Sequence, residues 1–122
     1  MLIHFYKSTL GKGKFTSSAQ IGIEVAVKQL PSSKGKDLVR KDLVIWEKGN
    51  QTVWNEDLKA VNDPVSILEW KVNSESKCKV DVEWLMEFTK TYPRVLGYSV
   101  CAFIKDKRGI SYKRIENGKV VS

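Results

Sequence analysis

One histidine, His4, stands in a chain of 122 residues. Without a second, histidine-dependent triads, the usual zinc sites and histidine-based nucleases lose their main ingredient. Cysteine is nearly as scarce. Cys78 and Cys101 lack a C-x-x-C spacing and lie in segments that read as a helix start and a buried strand. They are expected to be reduced thiols of an intracellular, cytoplasmic protein. No apolar run approaches the length needed to cross a bilayer, and Leu2-Ile3-His4-Phe5-Tyr6 is too short and interrupted for a signal peptide. A membrane is therefore not an expected partner. Repeats, low-complexity tracts and linkers are also missing.

What is present is a balanced apolar content and an excess of cations. At 42% apolar residues the chain is expected to form one globular domain over residues 1–122. Lys and Arg number 21 against 14 Asp and Glu, a formal charge of +7, which favours a polyanionic partner. The cations recur in loops: Lys12 and Lys14, then Lys34, Lys36, Arg40 and Lys41, then Lys105, Lys107, Arg108, Lys113 and Arg114. The first six are the candidate nucleic-acid contacts. Gly11-Lys12-Gly13-Lys14 lacks the spacing of a phosphate-binding loop.

Residues 17–30 carry two conflicting signals. Ile21, Ile23, Val25 and Val27 alternate as in a strand, whereas Ser17-x-x-Gln20 matches a capping box and Pro31 supplies a stop. Ile23, Val27 and Leu30 also fall at helical spacing, and a helix is the reading adopted. Residues 37–48 read as extended, with a break near Arg40-Lys41. The connection 49–64 contains the turn-prone Gly49-Asn50 and Asn62-Asp63-Pro64. A strand follows over 65–72, then a helix from an Asp81 N-cap through Tyr92 with Trp84, Leu85, Phe88 and Tyr92 on its core face. A buried strand over Val95–Ile104 and a terminal hairpin with turns at Asp106–Gly109 and Glu116-Asn117-Gly118 complete an α/β order.

One constellation looks like chemistry. Glu69 and Lys71, two apart on a strand, share a face, with Leu68, Trp70 and Val72 expected on the core side. If the run Asp42-Leu43-Val44-Ile45-Trp46 pairs with it antiparallel, Asp42 comes beside Glu69 and Lys71. Two carboxylates suit a hard divalent cation, and a lysine can position or deprotonate a water for attack on phosphate.

This pattern resembles the PD-(D/E)XK nuclease superfamily over about residues 17–104. Val39-Arg40-Lys41-Asp42-Leu43-Val44-Ile45 is similar to the segment around the family's first acid, with Lys41 at its usual proline. Ile67-Leu68-Glu69-Trp70-Lys71 is similar to its second half-motif. The resemblance implies a restriction-endonuclease-like mixed central sheet flanked by helices, with a C-terminal β extension. It implies Asp42 and Glu69 as metal-binding carboxylates, Lys71 as the catalytic lysine, and Glu24 on the first helix as a further metal ligand. The span from Asp42 to Glu69 is long for the family and requires residues 49–64 to form an inserted loop. Asp63 lies too near its own strand's start to serve as the first acid.

The implied function is a Mg²⁺-dependent nuclease, with Mn²⁺ able to substitute, acting on DNA without strict sequence specificity or by structure. RNA is the other polyanion open to it. A homodimer would supply two sites for cutting both strands. The alternative is a catalytically inactive nucleic-acid-binding module of the same fold, served by basic charge and exposed aromatics such as Trp46, Trp54 and Tyr112.

Overall fold

Ser17 begins the part of the chain that the computed structural model describes, residues 17–121. These divide into two compact units, one running through Ile67 and the other starting at Leu68. Together they hold six strands and one α-helix, a mixed α/β fold.

In the first unit the capping box forms as its sequence signature suggests. The Ser17 hydroxyl accepts from the Ala19 amide, and Gln20 Oε1 accepts from the Ser17 amide at 2.8 Å. It caps only a single 3-10 turn, Ser18–Gln20. The next residues are the β-branched alternation Ile21, Ile23, Val25 and Val27, and they form strand β1, Ile21–Lys28. The helix expected over 17–30 is thus a strand, because the capping signal governs one turn and the residue pattern governs the rest. Gln20 is buried, and its Nε2 donates to the carbonyls of Trp46 and Glu47 at 2.8 and 2.9 Å.

Strand β2, Leu38–Ile45, pairs antiparallel with β1 from Ile21↔Ile45 to Lys28↔Leu38, without the break expected near Arg40-Lys41. Glu24 interrupts the ladder on β1 with a left-handed φ of 51°. That turn folds Val25 back over Gly22, where an added Cβ would come within 2.8 Å of Val25 Cγ2. Only a glycine leaves that space.

The connection 49–64 is ordered by side-chain amides. Asn55 Oδ1 accepts from the amides of Asp57 and Lys59, Asn62 Nδ2 donates to the carbonyls of Thr52 and Trp54, and Trp54 bridges to Ala60. The Val65 amide then donates to the Ile45 carbonyl at 2.7 Å and starts strand β3, Ser66–Val72.

The second unit is built on a β-α-β crossover. Beyond β3, Asn73 takes a left-handed φ of 54°, its amide donates to the Ala102 carbonyl at 2.7 Å, and its Oδ1 accepts from the Ile104 amide. Helix α1, Glu75–Thr91, leads to strand β4, Leu96–Phe103. With the end of β3 beside the end of β4, the two strands run parallel, as a helical crossover requires.

The helix starts two turns earlier than the sequence suggests. Ser74, not Asp81, is its N-cap and accepts from the Lys77 amide, leaving Asp81 in mid-helix and buried. Cys78, Asp81, Leu85 and Phe88 form the inward stripe. Trp84 and Phe88 stack with centroids 4.8 Å apart. Leu85 lies directly over Gly97 of β4, where a Cβ would approach to 3.2 Å, so this glycine lets helix and strand come close.

Strand β5, Gly109–Glu116, pairs antiparallel with β4, and β6, Lys119–Val120, returns along β5. Left-handed Asn117 and Gly118 make the two-residue turn between them. The Gly118 amide donates to Thr89 Oγ1 and ties this hairpin to α1.

Cys78 of α1 and Cys101 of β4 form a disulfide, which corrects the expectation of reduced thiols. The two residues read correctly as helix and strand, but helix α1 lies across β4 and brings them together. Bonds of this kind persist in oxidising surroundings and are lost in reducing ones. No helix among the described residues is long and apolar enough to cross a membrane. With the cysteines 23 positions apart in sequence, loop closure contributes about 3 kcal/mol. Urea unfolding with and without reductant should show a loss of that order, with Cys101→Ser matching the reduced protein. Superimposable curves would contradict the bond's role.

Candidate functional site

Strand β3 delivers Glu69 and Lys71 to one face, and helix α1 delivers Asp81 to meet them. Lys71 Nζ lies 3.0 Å from Asp81 Oδ2 and 3.5 Å from Glu69 Oε2, and it also reaches the Trp70 carbonyl at 3.4 Å. Glu69 is only 4% exposed and Asp81 8%. The lysine side chain keeps 29% exposure, so the ammonium is the member of the group nearest solvent.

The expected facing of β3 holds at Leu68, which is buried, and fails beyond it. Trp70 and Val72 are about half exposed, at 48% and 49%, while Glu69 is buried. The helix covers the face that carries the charges. An apolar pattern identifies the greasy side of a strand, not the side a helix will lie on.

Burial changes the energetics of the pair. Removing one partner of a buried ion pair strands the other charge, at a cost of about 3–5 kcal/mol, whereas exposed pairs contribute little. Here two carboxylates face one ammonium, so Lys71 offsets part of the repulsion between them.

The remaining predicted residues scatter. Asp42 lies in the middle of β2 rather than at its start and is half-buried. Glu24 is exposed on β1, not on a helix, and its position between the pairs Ile23↔Leu43 and Val25↔Lys41 puts it on the same rung as Asp42. With the helix gone, the family role carried over to Glu24 falls. Lys34, Lys36 and Arg40 are exposed in and beside the β1–β2 connection, but Lys41 is only 8% exposed, and Trp46, expected among the exposed aromatics, is buried. Lys12 and Lys14 lie outside the described residues.

Two arginines of the C-terminal hairpin are engaged by acids. Arg108 sits 3.6 Å over the Phe103 ring, pairs with Asp106 at 2.8 Å and reaches Glu75 at 3.3 Å, while Arg114 pairs with Glu116 at 2.9 Å. The side-chain hydrogen bond from Arg108, helped by its backbone amide, holds the Asp106 carboxyl below its ordinary range.

Sequence reasoning did not assign Asp81 to this cluster. Its signal is a lone acid on the inward stripe of an otherwise apolar helix, where a charge is stable only with a partner.

A groove of about 600 Å³ opens elsewhere in the second unit, between α1 and the β4–β5 hairpin, with Cys78, Met86, Cys101, Phe103 and Tyr112 on its walls. The charged cluster is not part of it.

Among the described residues no three His, Cys, Asp or Glu side chains assemble into a group that could hold a metal. The donor chemistry still suits Mg²⁺, which takes one or two carboxylates and fills the rest of its shell with waters and substrate oxygens. Glu69 supplies one such carboxylate. No family model matches the chain, and no curated protein matches it either.

Two outcomes check this account. Lys71→Met should lower unfolding free energy by about 3 kcal/mol in urea titrations at neutral pH, and a loss below half of that would mean the cluster is effectively solvated. In an NMR titration Asp106 should protonate at lower pH than an ordinary carboxyl, and Arg108→Met should move it back up. Because the folded value is the lowered one, its stabilising effect is present above the unfolded value and is lost as pH falls through the folded one. An Asp106 midpoint that ignores the substitution would contradict the assigned cause.

Proposed function

We propose that the chain is a metal-dependent phosphodiesterase of the PD-(D/E)XK kind, acting on nucleic acid, with Glu69 and Lys71 at its reacting centre. One observation carries this reading. The Glu-x-Lys pair stands on the strand that enters a β-α-β crossover, and it is drawn into a buried cluster instead of lying on a solvated edge. The strand at residues 21–28 removes the helix that the resemblance requires there, so the reading rests on the second half-motif. Asp42 stays in it on resemblance alone.

In this mechanism Glu69 holds the cation. Mg²⁺, when held there, would supply Lewis acidity for hydrolysis of the phosphodiester. The Lys71 ammonium, partly open to solvent beside Glu69, orients the attacking water and offsets charge developing on the phosphate. Exposed cations at Lys34, Lys36 and Arg40 grip the sugar–phosphate backbone without reading sequence. Cutting both strands together calls for a second copy of the chain.

A second reading has its own support. Lys71 lies within 3.5 Å of both carboxylates, an arrangement equally suited to a silent, ion-paired cluster in a module that only binds nucleic acid.

Cleavage of plasmid and of single-stranded oligonucleotides with Mg²⁺, Mn²⁺ or EDTA separates the two. The wild type should cut with either metal and stop in EDTA. Glu69→Gln and Lys71→Arg, with folding checked by circular dichroism, should each lose at least ~10²-fold in rate while affinity changes by only a few-fold. Cleavage unaffected by EDTA or by both substitutions would remove the catalytic reading. Salt-dependent binding without cleavage would support the binding module.

A further inference from the structure

Asp81 is closer to the lysine than the glutamate of the Glu-x-Lys pair is, at 3.0 Å against 3.5 Å. It is buried within α1, on its second turn, one turn after the cysteine that bonds the helix to β4. Among the described residues Oδ2 accepts no hydrogen bond of good geometry, so its hold on the ammonium is coulombic. That Oδ2 faces the ammonium of a lysine whose side chain has four rotatable carbons and an open route to solvent. Left to itself such a side chain samples many rotamers, at an ordering cost of up to ~2 kcal/mol. A buried carboxylate on a disulfide-anchored helix limits that sampling.

We propose that Asp81 is a positioning residue: it holds the Lys71 ammonium beside Glu69, ready for the phosphate. The inference rests on the nuclease reading of Glu69 and Lys71 and deepens it. Asp81 touches neither substrate nor reacting atoms in this scheme. It acts through Lys71, as the counter-charge nearest its ammonium. Its loss would leave substrate affinity to the surface cations and reduce turnover.

The test compares wild type with Asp81→Asn and Asp81→Glu in two ways. The first needs no activity: ¹⁵N NMR of the lysine ammonium groups, where a held ammonium gives an observable Nζ cross-peak and a solvent-exchanging one does not. Lys71→Arg assigns the peak. The wild type should show the Lys71 signal, Asp81→Asn should lose it, and Asp81→Glu should restore it in part. The second is the kcat-against-KM split for Mg²⁺-dependent cleavage. Asp81→Asn should lower kcat at least about tenfold with KM changed less than about twofold, and Asp81→Glu should recover part of the loss.

A Lys71 signal that survives Asp81→Asn overturns the proposal whatever the rates do. So does a lost signal with kcat unchanged. If the wild type does not cleave at all, the nuclease reading fails and Asp81's catalytic role fails with it, while a lost signal in that case identifies a purely structural ion pair. Should Asp81→Asn not fold, Asp81→Glu decides alone. A lowered kcat with constant KM supports positioning, and wild-type kinetics overturn it.

Discussion

A carboxylate that is buried must be answered, and in the second unit Glu69 is answered by Lys71. The same lysine answers Asp81, so one ammonium joins the strand to the helix that crosses over it. Other features of this unit serve that juxtaposition. Asn73 turns the chain off β3, Ser74 caps the helix, the Cys78–Cys101 bond fixes the helix to β4, and Gly97 lets Leu85 approach. Leu85, Phe88, Val100 and Ile115 are buried in the same unit, and the low polarity of such a core raises the cost of leaving a buried charge unanswered.

The cluster's chemistry and its stability draw on the same atoms. A lysine that serves two carboxylates is held in place, which a catalytic group needs, but it is also occupied, which a structural group needs. Asp81 and Glu69 are closed off, and Lys71 is the member of the cluster that keeps access to solvent. On the proposed function, affinity falls to exposed cations and turnover to the cluster, so binding and turnover should separate under mutation.

How much of this was legible in the sequence depends on the range of each signal. Local signals read true. Ser17 and Gln20 do form a capping box, Asn117-Gly118 does make a hairpin turn, and the β-rich runs at 66–72 and 96–103 are strands. Errors came where a local signal was extended. The capping box was carried through fourteen residues, although it commits only the first turn and the β-branched alternation commits the rest. Asp81 was taken as a cap because acids favour that place, while Ser74, equally suited, lay two turns earlier.

The site was half legible for the same reason. Spacing of two on a strand put Glu69 and Lys71 together, but nothing local says which face a helix will cover, and that choice buried Glu69 and exposed Trp70. The partner Asp81 and the disulfide are both products of one helix packing on two strands, β3 and β4, a tertiary event with no spacing rule. Most direct for the central claim is paramagnetic broadening by substoichiometric Mn²⁺ in an amide NMR spectrum. Amides of Glu69, Trp70 and Lys71 should broaden first, and Glu69→Gln should abolish the effect. Broadening that starts elsewhere, or that persists in Glu69→Gln, would contradict a metal-holding Glu69.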